Sequence, residues 1–328
     1  LGWNLLKIIV WRLLALIPLL FVVALGSFFL IRLAPGDFLT ELGDQQQITP
    51  ETLSAFRQQY GLDQSWLSQF TGWLWRVLQG DFGYSFACNC PVSSLLAERL
   101  LNSVLLALAG LLLSVAIAIP LAVVATGFRA RFLNRVLTLF SAIGISTPSF
   151  LLALLAALLA AKTGWFPIGG IRSLDYESYS TAQKIADFLH HLILPATVLA
   201  VRQIPSYFQQ LRTSLSETLS QDYILTARAK GLPRRTILFK HALRNAVNPI
   251  LSMLGNSAGA LLSGAFVVEA VLSWPGIGSL AVSSLLSRDL YALLACLIYA
   301  AALLAVSNLL ADLSLAVADP RIRRSQRI

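Results

Sequence analysis

Two stretches of this chain, residues 103–128 and 136–161, each run for 26 positions without one charged side chain. A helix needs about 20 apolar residues to cross the roughly 30 Å hydrocarbon core of a bilayer. In hydrocarbon every backbone N–H and C=O must be bonded within the segment, which leaves the helix as the natural form for such a run. The rest of the chain gives no alternative. Of 328 residues, 56% are hydrophobic and 12% charged, against about a quarter charged in soluble domains. Too few polar groups exist to cover a water-facing surface.

Four further runs read as spans: residues 13–31, preceded by Lys7 and Arg12; 191–208, crossed by Arg202; 247–268; and 290–317, with Asp312 near its end. The first is too long for a signal peptide and has no small-x-small cleavage site before Arg32, so it reads as a retained anchor. The expected fold is an all-α integral membrane protein of about six transmembrane helices. Pro18, Pro120, Pro148, Pro195 and Pro249 fall within or beside spans and predict kinks. Gly255 and Gly259 form a Gly-x-x-x-Gly suited to close helix packing.

Basic residues sort the loops. Lys7, Arg12, Arg129, Arg131, Arg135, seven from Arg212 to Arg244, and four from Arg321 to Arg327 lie on one side, 16 in all; eight lie on the other, and Arg202 is the remaining one. The positive-inside rule then predicts both termini in the cytoplasm. The formal charge of +9 is thereby a topology signal and implies no nucleic acid. The predicted organisation is an N-terminus and first span (1–33), a long extracytoplasmic loop (34–98), a transmembrane domain (99–318) holding a cytoplasmic loop (212–248), and a cytoplasmic tail (319–328).

The long loop predicts one helix starting at Thr49-Pro50 and running to Tyr60, and a second over residues 66–79. In the second, Trp66, Phe70, Trp73 and Val77 recur at helical spacing. That stripe suits packing on the spans, the membrane surface, or an outside partner. Cys88-Asn89-Cys90 sits in the same loop as free thiols or a local redox pair; Cys296 lies in an apolar run. A metal site would need further ligands near Cys88 and Cys90, and none stands beside them. Arg202 either lines a polar path through the spans or snorkels to one face.

The 212–248 loop is the most informative segment. Ser220 or Asp222 suits a helix start, Gly231 a left-handed C-cap, and Pro233 a stop. The result is a helix of about two turns, too short to be stable alone in water. It needs a partner, to which it presents Ala227 and Ala229 beside Arg228 and Lys230, with Tyr223 as an aromatic anchor. A second basic helix follows over 234–245.

Asp222-Tyr223, Thr226-Ala227-Arg228-Ala229-Lys230-Gly231-Leu232 and His241-Ala242-Leu243-Arg244-Asn245-Ala246 with Pro249 resemble the cytoplasmic loop of binding-protein-dependent ABC importer permeases, specifically the dipeptide, oligopeptide and nickel branch. Leu225 and Thr226 stand where the broader Glu-Ala-Ala-x-x-x-Gly pattern has Glu and Ala. The resemblance extends over nearly the whole chain: Arg32-Leu33-Ala34-Pro35-Gly36-Asp37, Tyr60-Gly61-Leu62-Asp63, Gly80-Asp81-Phe82-Gly83, Ser273-Trp274-Pro275-Gly276-Ile277-Gly278 and Asp319-Pro320-Arg321-Ile322-Arg323 are similar to family signatures in the family's order. It implies a type I importer permease fold. It also implies that Asp222, Tyr223, Thr226, Ala227, Arg228, Ala229, Lys230, Gly231 and Leu232 form a helix coupled to an ATPase subunit. Further expected partners are a second homologous permease and an extracytoplasmic solute-binding protein. The solute would be a peptide, nickel or glutathione.

No lysine follows a glycine in this chain, so a Walker A phosphate loop is absent. ATP and Mg are expected on the partner chain, with no cofactor, metal or catalytic residue here. The rival class is an ion-coupled secondary transporter, which places charges within spans. Only Arg202, Glu269 and Asp312 approach that depth, and His190, His191 and His241 lie at span edges.

Overall fold

The computed structural model describes residues 2–33, 54, 58, 63–127 and 131–318. The predicted helix from Thr49 to Tyr60 falls outside them, apart from two isolated positions. So do Ala34 to Asp37, Tyr60 to Leu62 and the tail from Asp319.

The chain is helical: α1 (Gly2–Leu33), α2 (Trp66–Leu78), α3 (Val92–Gly127), α4 (Arg131–Ser146), α5 (Ser149–Thr163), α6 (Thr181–Leu219), α7 (Asp222–Ala229), α8 (Arg234–Thr236), a π-helical stretch Ile237–Ala242, α9 (Leu243–Ala246), α10 (Asn248–Val271), α11 (Ile277–Leu286) and α12 (Leu290–Ala318). A two-residue hairpin pairs β1 (Tyr84–Ser85) with β2 (Cys90–Pro91), antiparallel, with Ser85 opposite Cys90.

Among the described residues four helices are long and apolar enough to cross a membrane: Ile9–Ile31 within α1, α3, α6, and Leu290–Leu310 within α12. The helices outrun the predicted spans. α3 has 36 residues and starts at Val92 rather than Ser103. At 1.5 Å per residue it is about 54 Å long, well beyond a roughly 30 Å core. α6 has 39 residues and passes through Arg202 without a break. The fifth predicted span is the 24-residue α10.

The third span, expected as one run over 136–161, is instead two helices, α4 and α5, divided at Thr147-Pro148. Pro148 has no N–H to donate back, and its ring pushes the residue before it out of the helical region. Pro148 takes φ −61° and ψ 140° and caps α5.

The chain divides into two compact units, 1–10, 104–274 and 304–328 in the first and 11–103 and 275–303 in the second. In the first, α6 is the central element. α4, α5, α9 and α10 all pack on it.

In the second unit, Phe70 of α2 meets Phe28 and Phe21 of α1, with ring centroids 5.4 and 6.0 Å apart. Phe70 and Trp73 are buried and Trp66 is exposed, so the aromatic stripe packs on a span, with Trp66 left out of it. The Gly80-Asp81-Phe82-Gly83 signature is a turn: the Gly83 amide donates to Asp81 Oδ1 (2.9 Å) and the Trp73 indole to the Phe82 carbonyl (3.4 Å). Gly83 has φ +95°, and a Cβ there would stand 3.1 Å from Tyr291 Cγ. Both the turn and the close approach call for glycine.

The hairpin is held by Asp289, a buried carboxylate before α12. It accepts from the Ser85 hydroxyl (2.6 Å), the Ala87 amide (3.2 Å) and the Ala292 amide (3.3 Å). Asp289→Ala is expected to lower the thermal unfolding midpoint of the purified chain. Each buried donor left without an acceptor costs about 1–3 kcal/mol. A melt followed by intrinsic fluorescence in detergent checks this, and an unchanged midpoint contradicts it.

Candidate functional site

The predicted two-turn helix is α7, eight residues long. Its ends differ in detail from expectation. Gln221 occupies the N-cap, Ser220 ends α6 instead, and Asp222 is the first helical residue. An acidic side chain in that first turn opposes the helix dipole favourably. At the other end Gly231 has φ +74°. The Gly231 amide donates to the Arg228 carbonyl (2.9 Å) and the Leu232 amide to the Ala227 carbonyl (3.3 Å). That pair of bonds is a Schellman motif, which requires a left-handed residue at its centre.

The faces of α7 are sharply different. Ile224 is 0% and Ala227 7% exposed. They enter a core cluster with Ala122 of α3, Leu211 and Leu215 of α6, Ala242, and Ile250 of α10. Burying one such Ile is worth about 1.5–3 kcal/mol, which supplies the stability an eight-residue helix lacks. Ala227, expected beside Ala229 on the partner face, therefore points inward. Leu225, 52% exposed, points out together with Thr226, Arg228, Ala229 and Lys230.

Tyr223 is exposed on one flank, and its hydroxyl accepts from Asn245 Nδ2 at 2.9 Å. This bond ties α7 to the basic segment behind it, where Arg234, Arg235, Lys240 and Arg244 are exposed. α7 thus presents a small, basic, partly apolar surface on a rigid support. Its inward anchor, Ile224, was not among the residues singled out from sequence, and Asn245 entered only as part of a family signature, without the role of a strut. The Ile224/Ala227 spacing of three was the available signal.

Other singled-out residues go elsewhere. Arg202 is exposed midway along α6, away from its buried face. Glu269 is buried in α10. The two adjacent histidines serve different contacts: His190 Nε2 bonds the Trp165 carbonyl and His191 Nδ1 the Asp187 carbonyl, each at 2.8 Å. Asp187 also accepts from the Ser173 amide (2.9 Å) and hydroxyl (2.5 Å). Trp274 of the Ser273–Gly278 turn is buried, 6.0 Å from the Phe188 ring, and the Asn102 amide donates to the Pro275 carbonyl at 2.8 Å.

The sequence profile described as the binding-protein-dependent transport system inner membrane component matches residues 114–324. The corresponding N-terminal profile matches residues 5–107. The chain belongs to this family of inner-membrane permeases. The permease is 38% identical over 316 residues to an oligopeptide transport system permease protein of Bacillus subtilis, covering 96% of this chain and 98% of that one. It is 34% identical to a putative peptide permease of Brucella suis, covering 95% and 97%. A probable peptide ABC transporter permease of Sinorhizobium fredii is 36% identical, with 95% and 97% covered.

The permease is a multi-pass inner-membrane transport subunit of an ABC importer, and hydrolysis is not its own activity. Its family implies an ATPase and a solute-binding protein as partners. An ion-coupled secondary transporter is set aside by this membership.

Proposed function

We propose that this permease, paired with a second homologous permease chain, forms the translocation path of an ATP-driven peptide importer. The peptide and oligopeptide names of its relatives support that substrate class over nickel or glutathione. The positive-inside count puts the basic α7 segment and both termini in the cytoplasm. The long loop then faces the binding protein.

The observation that carries the coupling role is the two-faced build of α7. Its outward residues are free to enter a groove of the ATPase, while Ile224 and Ala227 are locked into α3, α6 and α10. Close-packed interiors transmit displacement with little slack. When ATP, held with Mg on the ATPase, closes the ATPase subunits, α7 is carried with them and tilts the helices it is packed against. The path opens outward and takes peptide from the binding protein. Hydrolysis returns it inward. ATP closure shifts the equilibrium only as far as α7 binds the ATPase differently in the two states. Arg202, exposed on the side of α6 that this chain leaves uncovered, lines the path and meets the peptide carboxylate.

Cysteine cross-linking from intact membranes tests this. Leu225→Cys is expected to link to an ATP-binding chain and Ala227→Cys not to. A linked product lacking an ATP-binding chain, or equal linking from both positions, overturns the assignment of α7.

A further inference from the structure

α2 has a second apolar stripe that its packing on α1 does not use. Leu67, Trp75 and Leu78 follow one another at helical spacing on the side away from α1, and they are 54%, 65% and 73% exposed. Thr71 lies between them, and its hydroxyl donates to the Leu67 carbonyl at 2.8 Å. The two stripes flank a narrow polar edge of Ser68, Gly72, Arg76 and Gln79.

The partners of α2 fix its depth. Phe70 touches Phe28 and Phe21, which lie three and ten residues inside Ile31, where the apolar run of α1 ends. At 1.5 Å per residue those contacts are about 5 and 15 Å below the end of the span. Half the thickness of a bilayer core is also about 15 Å. The chain leaving α2 rises from that level to the end of the span, where Gly83 lies against Tyr291 in the first turn of α12. Phe82 meets Tyr299 at 5.2 Å, nine residues into the last apolar helix, which starts at Leu290.

The polar groups at the start of α2 are bonded within its own first turn and N-cap. Ser65 accepts from the Ser68 amide, Ser68 Oγ donates to Gln64 Oε1 (2.8 Å), and Gln69 Nε2 donates to the Gln64 carbonyl (2.9 Å). Arg76, the charged member, stands 5.7 Å from the Tyr291 ring centroid, at the first turn of α12, where the span begins.

We propose that α2 is sunk into one leaflet, with Leu67, Trp75 and Leu78 in contact with lipid acyl chains. α1, on which α2 packs, carries exposed apolar residues of its own, Ile17, Val22 and Leu30. The loop is therefore pinned to the bilayer at α2. The proposal rests on α1 being a membrane span.

Spin labels test both points in the complete transporter, reconstituted in phosphatidylcholine–phosphatidylglycerol vesicles, with Cys88, Cys90 and Cys296 replaced. Labels at Leu67→Cys, Trp75→Cys and Leu78→Cys are expected to collide more with oxygen than with a water-soluble nickel chelate, and a label at Gly72→Cys less so. Labels that favour the nickel reagent place the stripe in water and overturn the proposal. Immobilised labels reached by neither reagent place it against a protein and overturn it equally. Labels at Ile17→Cys, Val22→Cys and Leu30→Cys report on α1 separately. If all three favour the nickel reagent, the span assignment itself fails.

Discussion

An Ile224→Ala permease is expected to reach the membrane in normal amount and to lose most of its ATP-driven uptake. Ile224 is fully buried, and its side chain is the main link between α7 and the core. Truncating a buried Ile to Ala costs about 2–5 kcal/mol. The long apolar helices gain their stability from the membrane, so the loss falls on α7. A loss of 2 kcal/mol shifts the ratio of docked to undocked helix about 30-fold. The ATPase subunits still bind ATP and hydrolyse it, but their motion is no longer conveyed. Uptake and hydrolysis measured on the same vesicles separate the two effects. Ile224→Val, at about 0.5–1.5 kcal/mol, is expected to keep most transport. Full uptake by the Ala variant would contradict the anchoring role.

Gly231→Val is expected to have a comparable effect for a different reason. Nothing lies within 4 Å of a Cβ built at Gly231, but its φ is +74°. The substitution meets no steric neighbour, and its whole cost is backbone conformation. The left-handed region costs an L-residue about 1–2 kcal/mol, and a β-branched side chain tolerates it least. The Schellman bonds that close α7 then compete with that strain. Uptake should fall in the order Gly, Asn, Ala, Val, because Asn visits this region readily, with membrane abundance unchanged throughout. Equal uptake across the series would show that the end of α7 carries no load. A fall in abundance that tracks uptake would show instead a folding defect.

Much of this molecule was legible in its sequence. The uncharged runs identify spans because transfer into hydrocarbon is a sum over neighbouring residues and needs no knowledge of distant ones. The end of α7 at Gly231 and Pro233 was equally readable, since left-handed φ and a missing N–H are local properties. The family signatures, spread in order along the chain, gave the permease assignment before any coordinate.

Other features depended on what lies alongside. Pro148 divides a span while Pro18, Pro120, Pro195 and Pro205 remain inside unbroken helices. The residue type is the same, and the proline by itself does not tell the two outcomes apart. Ala227 and Ala229 look alike in sequence, yet one is buried and the other exposed. An eight-residue helix offers only the Ile224/Ala227 spacing of three, too short a stripe to fix its inner face. In α2 the apolar residues form two stripes, and sequence periodicity could not say which would meet α1. Solvation and backbone conformation are decided residue by residue, so the chain alone determined which stretches are apolar helix and where α7 stops. Which face turns inward is a relation between segments distant in sequence, and that only the tertiary structure decided.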